Sequence, residues 1–163
     1  MSRLKKPILT FARLTDISPN EIIAHMSDKR VAQHMPLLTF NWDSKAVADF
    51  VATKEDCWRR DGLGHWAILS DGNYVGWGGF QLEVDGWDFG LVLKPNSFGL
   101  GMPITRKAIQ FAVADQRIPY ITFLLPQSRK NLGGLTRLGA TFVNKITYEG
   151  TQFLKYRLNT EPV

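Results

Sequence analysis

The chain of 163 residues has a single cysteine, Cys57, which excludes an internal disulfide. No Cys/His cluster has metal-ligand spacing, so no metal is expected. Long apolar runs are missing as well. The opening Met1-Ser2-Arg3-Leu4-Lys5-Lys6 has none of signal-peptide length, and nothing later is long enough to span a bilayer. The expectation is a cytoplasmic protein with no membrane partner. Basic residues are scattered despite a net charge of +5, in short pairs such as Lys5-Lys6, Arg59-Arg60 and Arg129-Lys130. The aromatic residues sit inside apolar alternation rather than between Arg and Lys, which argues against a stacking platform for nucleic acid. The charge still favours an anionic partner, a phosphorylated small molecule among them. Linkers, repeats and low-complexity tracts are absent too, so one domain over residues 1–163 is expected.

What is present is enough apolar sequence for a proper core, 44% of the residues, in a clear succession of periods. Residues 8–14 alternate as a strand. Ser18-Pro19-Asn20-Glu21 opens a helix, with Ser18 as N-cap, Pro19 in the first position and Glu21 closing a capping box. A short helix over 28–34 and an irregular apolar stretch over 35–42 follow. Asp43 or Ser44 caps the next helix, whose Val47, Phe50, Val51 and Trp58 recur at helical spacing before Gly62-Leu63-Gly64. Strands over 65–70, 74–83 and 87–93 are joined by turns at Asp71-Gly72-Asn73 and Val84-Asp85-Gly86. A helix over 102–115 holds Pro103 in its first turn. A buried strand over 120–125, a helix over 129–138 and a terminal hairpin around Glu149-Gly150 complete the pattern. It predicts an α/β fold with a mixed sheet.

The segment Phe98-Gly99-Leu100-Gly101-Met102-Pro103 joins a strand to a helix. Backbone N–H groups at a helix N-terminus suit a pyrophosphate, and glycines let its oxygens approach. A lone Gly-x-Gly before a helix is equally well a tight connection. Together with the preceding Trp87-Asp88-Phe89-Gly90-Leu91-Val92-Leu93-Lys94-Pro95, the segment resembles the cofactor motif of the GNAT superfamily of N-acetyltransferases. The resemblance is strongest to the branch of ribosomal-protein N-terminal acetyltransferases. Arg13-Leu14-Thr15, His65-Trp66-Ala67-Ile68 and Leu138-Gly139-Ala140-Thr141-Phe142 resemble further parts of that branch, so element order is matched over nearly the whole chain.

The resemblance implies a single-domain fold with a mixed, mostly antiparallel sheet of about seven strands flanked by helices. It also implies acetyl-CoA as cofactor, and an amine acceptor that is a protein N-terminus or a small molecule; a homodimer is a further expectation. The cofactor would be held by Leu91, Val92, Leu93, Phe98, Gly99, Leu100, Gly101, Met102, Pro103, Ile104, Ser128 and Asn131. Three positions depart from the family pattern. Phe98 stands for Gln or Arg, Leu100 for a common basic residue, and Pro103 for Gly or Ala, which removes one N–H worth about 1.5–3 kcal/mol to a charged acceptor. A non-catalytic module of the same fold, binding acyl-CoA or a partner, is the rival reading.

Transfer to an amine needs proton removal, oxyanion stabilisation and protonation of the leaving thiolate. Backbone N–H groups near Leu91 and Val92 would serve the oxyanion. Asp88 matches the acidic position of the family strand, though an alternating strand places such a residue equally well on a solvent face. Glu83, at the end of the preceding strand, is the second candidate base. His65 and His34 are read chiefly as structural. The general acid has no clear bearer: Ser128-Arg129-Lys130-Asn131 stands where many relatives have N-x-x-S, and Leu135 where others have Tyr. Asn131 is placed with Asp88 and Glu83 in the candidate catalytic set.

Overall fold

The computed structural model describes residues 5–35, 41–127 and 133–160. Seven strands form one sheet in the order β1-β2-β3-β4-β5-β7-β6. They are β1 (Leu9–Ala12), β2 (His65–Ser70), β3 (Asn73–Glu83), β4 (Gly86–Leu93), β5 (Tyr120–Pro126), β6 (Thr141–Tyr148) and β7 (Thr151–Asn159). All neighbours are antiparallel except β4 and β5. The helices are α1 (Pro19–Met26), α2 (Lys29–Ala32), α3 (Ser44–Asp61), α4 (Gly101–Ala114) and α5 (Gly133–Arg137). This is the mixed, mostly antiparallel α/β arrangement expected from the sequence.

Side-chain alternation assigns each sheet face its own cover. On one face Trp66, Phe80, Trp87 and Phe89 pack with Ala108 and Ala112 of α4, and Ile68 and Leu93 pack with Ile104. On the other, Ala67, Tyr74 and Trp77 meet Ile22 and Met26 of α1, Val31 of α2 and Val47 of α3. Two hairpins close on pairs whose backbones are both left-handed, Asp71-Gly72 and Glu149-Gly150. Helix α3 begins at Asp43, whose Oδ1 accepts from the Ala46 N–H at 2.8 Å, and ends at Gly62 with φ 73°.

Several local expectations are corrected. Ser18 is the N-cap of α1 but makes no capping bond through its side chain, because the Glu21 N–H already donates to the Ser18 carbonyl at 3.0 Å. The first strand is shorter than expected, since Leu14–Asp16 turns into a 3₁₀ helix. Helix α2 is a single turn capped by Asp28. Residues Pro95–Leu100 are a 3₁₀ helix rather than an open loop, and they run directly into α4. Residues 129–132 of the last expected helix lie outside the described residues.

Candidate active site

Strands β4 and β5 pair only at Trp87–Ile121 and Asp88–Thr122. Beyond Asp88 the two part, so the backbone of residues 89–93 faces β5 without a ladder partner there. The end that stays closed is pinned by the Trp87 Nε1–H, which donates to the Arg117 carbonyl at 3.1 Å, and by the Thr122 hydroxyl, which donates to Asp88 Oδ1 at 3.0 Å. The rings of Phe89 and Phe123 meet edge to face at 5.8 Å on the α4 side. Leu91, Val92 and Leu93 lie along the parted stretch.

That stretch leads through the 3₁₀ helix to the N-terminus of α4. Leu100 is the N-cap and no side chain caps the helix. A Cβ on Gly99 would meet no atom within 4 Å, and one on Gly101 would meet only Leu93 Cδ1, at 4.0 Å. Neither has a left-handed backbone. Among the described residues nothing requires glycine at either place. The donor cradle is narrower than the sequence implies. The Gly101 N–H turns back to the Phe98 carbonyl, and Pro103 has none. Ile104 and Leu93 are buried in the core and have only backbone to offer. Phe98 is exposed. A Cβ on Gly134 would come 3.0 Å from Met102 Sδ, so α5 packs on the start of α4.

Asp88 lies on the opposite sheet face from α4, half-buried at the point where β4 and β5 divide. Burial pushes its pKa up to about 7; the Thr122 bond pulls the other way, while the nearby carboxylates Glu83 and Asp85 add to the rise and Lys155 opposes it. Asp85 itself is held low by its ion pair with Lys155. Glu83 is exposed at the strand end and accepts from Gln81 Nε2 at 3.1 Å. Asp88 and Glu83 thus share a face, and Gln81 stands opposite Asp88 in the β3–β4 register.

Two further groups on this face were not singled out as site residues by the sequence. Lys54 of α3 donates to Gln81 Oε1 at 3.3 Å and stands over the Trp77 ring at 5.1 Å; burial lowers its pKa to about 8. His65 is buried, with Nδ1 lacking a partner, and its pKa lies well below the usual histidine range. Lys54 belongs to a polar helix segment, and only its long-range partner Gln81 marks it out. Ser128 and Asn131 lie outside the described residues. His34 sits at the end of α2. Among the described residues no group of His, Cys, Asp and Glu has metal-binding geometry, and no helix is long and apolar enough to cross a membrane.

No protein-family model and no curated protein matches the sequence. Solved structures do. An acetyltransferase from Agrobacterium tumefaciens superposes with a TM-score of 0.74 at 17% identity, over 98% of this chain and 95% of that one. The spermidine N-acetyltransferase of Vibrio cholerae, solved with CoA and spermine, gives 0.73 at 8% identity over 95% and 96%. An N-acetyltransferase of Campylobacter jejuni, solved with acetyl coenzyme A, gives 0.68 at 17% over 93% and 99%. At such identities the likeness establishes a fold shared with acetyltransferases of the GNAT type along the length of the chain.

Proposed function

We propose that this chain is an acetyl-CoA-dependent N-acetyltransferase acting on a primary amine, either a protein N-terminus or a small molecule. The observation that carries the reading is the parting of β4 from β5 immediately before a helix N-terminus whose glycines no contact among the described residues requires. The cofactor would be held at the start of α4, from Phe98 to Ile104, with its arm along Leu91 to Leu93. Ser128 and Asn131 complete the proposed set. Bound there, it supplies an activated acetyl thioester.

The remaining chemistry belongs to the protein. Asp88, with a pKa near 7, takes a proton from an incoming ammonium close to neutral pH, where a base is most effective. Thr122 keeps one carboxylate oxygen occupied and leaves the other for the amine. Free N–H groups of the parted β4 backbone offer donors for the developing oxyanion. Glu83, on the same face and bonded to Gln81, is the second candidate base.

Titration with coenzyme A, followed by thiol release across a panel of amines, tests the reading. Binding with turnover supports it. Binding without turnover assigns the chain to the non-catalytic module, a reading favoured by the narrow donor cradle around Pro103. Absence of binding removes both.

A further inference from the structure

Helix α3 brings Lys54 down onto the sheet. Its Nζ is 3.3 Å from Gln81 Oε1, 5.1 Å from the Trp77 ring centre and 5.7 Å from that of Phe50. Trp77 and Gln81 lie on one face of β3, so the amine lies above this part of the strand. Gly79 pairs with His65 on β2 and with Gly90 on β4. Gly90 comes two residues after the last β4–β5 pair, at the first position of this face beyond the parting of the strands. Lys54 therefore shares a sheet face with the first position beyond the parting. Gly79 and Gly90 carry no side chains, and the His65 ring lies across Gly79 toward Gly90. His65 closes the other side: a Cβ on Gly90 would lie 3.9 Å from its Cε1 and Nε2.

Lys54 enters none of the ion pairs among the described residues. Its charge is left to a neutral amide and two rings. Glu83 and Cys57 favour the ammonium from a distance, but burial outweighs them and brings the pKa to about 8. A desolvated lysine of this kind supplies free amine near neutral pH and serves as a nucleophile.

The geometry points to Lys54 as an internal acetyl acceptor, a modification site of the chain itself that draws on acetyl-CoA bound at the opening of β4 and β5. The inference rests on the cofactor reading above. In the step, the Nζ lone pair forms a bond to the thioester carbonyl carbon and the C–S bond breaks. Coenzyme A departs as thiolate, and the surplus nitrogen proton reaches that thiolate through solvent. The product is a neutral amide, so the face loses one positive charge beside His65.

The test incubates the full chain, Lys54→Arg and Gly101→Asp with acetyl-CoA and quantifies acetylation at every lysine by peptide mass spectrometry. Coenzyme A binding is measured calorimetrically in parallel. The expected result is acetylation of Lys54 at least tenfold faster than at exposed Lys45 and Lys145, with that preference lost in Gly101→Asp. Competitive trace labelling of the cofactor-free protein with acetic anhydride provides a second readout. There Lys54 should titrate below Lys45 and Lys145. Coenzyme A binding with no preference for Lys54 overturns the inference while leaving the acetyltransferase reading intact. An ordinary lysine titration also overturns it, and loss of all coenzyme A binding overturns both.

Discussion

Two groups of glycines in this molecule answer to different demands. On β3, a Cβ at Gly76 would lie 2.4 Å from the Val92 carbonyl oxygen, and one at Gly78 would lie 2.5 Å from that of Gly90. Those obstacles are backbone and cannot swing aside. At the head of α4, Gly99 and Gly101 meet almost nothing. The first pair is written into the sheet, while the second has no such demand among the described residues. Sequence treats all four alike, and the surroundings separate fold from site.

The comparison predicts opposite outcomes for similar substitutions. Gly78→Ala should produce the largest effect: overpacking against β4 destabilises by about 1–3 kcal/mol or more, read as a fall in the thermal midpoint or as loss of soluble protein. Gly101→Ala should leave the midpoint within a degree or two. A matching fall in Gly101→Ala would erase the distinction between the two groups.

Gly101→Asp sharpens the ligand half of the comparison. It places bulk and negative charge before the helix, and coenzyme A affinity should drop at least a hundredfold in a protein that melts normally. Unchanged affinity in that folded variant would remove the cradle from the account.

Asp88→Asn separates chemistry from binding. Turnover should fall by about 10²-fold or more, with coenzyme A affinity nearly unchanged. The pKa of Asp88 is raised in the fold, so its ionisation opposes folding progressively as pH rises from about 4 to about 7. Asparagine should therefore stabilise the protein by on the order of 1 kcal/mol at pH 8, and have little effect near pH 4. Equal turnover across pH would return Asp88 to the role of a solvated strand residue.

These contrasts show how far the sequence could be read. Hairpins at Asp71-Gly72 and Glu149-Gly150 were legible because their left-handed backbones demand those residue types locally. Helix α3 was legible through its period and its Asp43 cap. The 3₁₀ helix at Pro95–Leu100 was not, since three-residue turns leave too short a pattern. The surroundings of Asp88 were also hidden. Its alternation gave the face, but Thr122, which holds it, lies 34 residues away across a parallel pair. Lys54 meets Gln81 over a separation of 27 residues for the same reason.

Pro103→Ala is the finest adjustment. It returns an N–H to the first turn of α4 and should tighten coenzyme A binding a few-fold, up to about 1 kcal/mol. The cofactor-free protein should lose about 0.4–1 kcal/mol as the unfolded chain regains freedom. Weaker binding would show that Pro103 shapes the cradle itself.

The central claim is that the open glycines face a cofactor, and amide chemical shifts measured while coenzyme A is titrated into the ¹⁵N-labelled protein address it most directly. The account predicts the largest shifts at Gly99, Gly101, Met102 and Leu91 to Leu93, with the β6 strand from Thr141 to Tyr148 nearly still. Saturable binding that moves β6 and leaves Gly99 and Gly101 in place would contradict it.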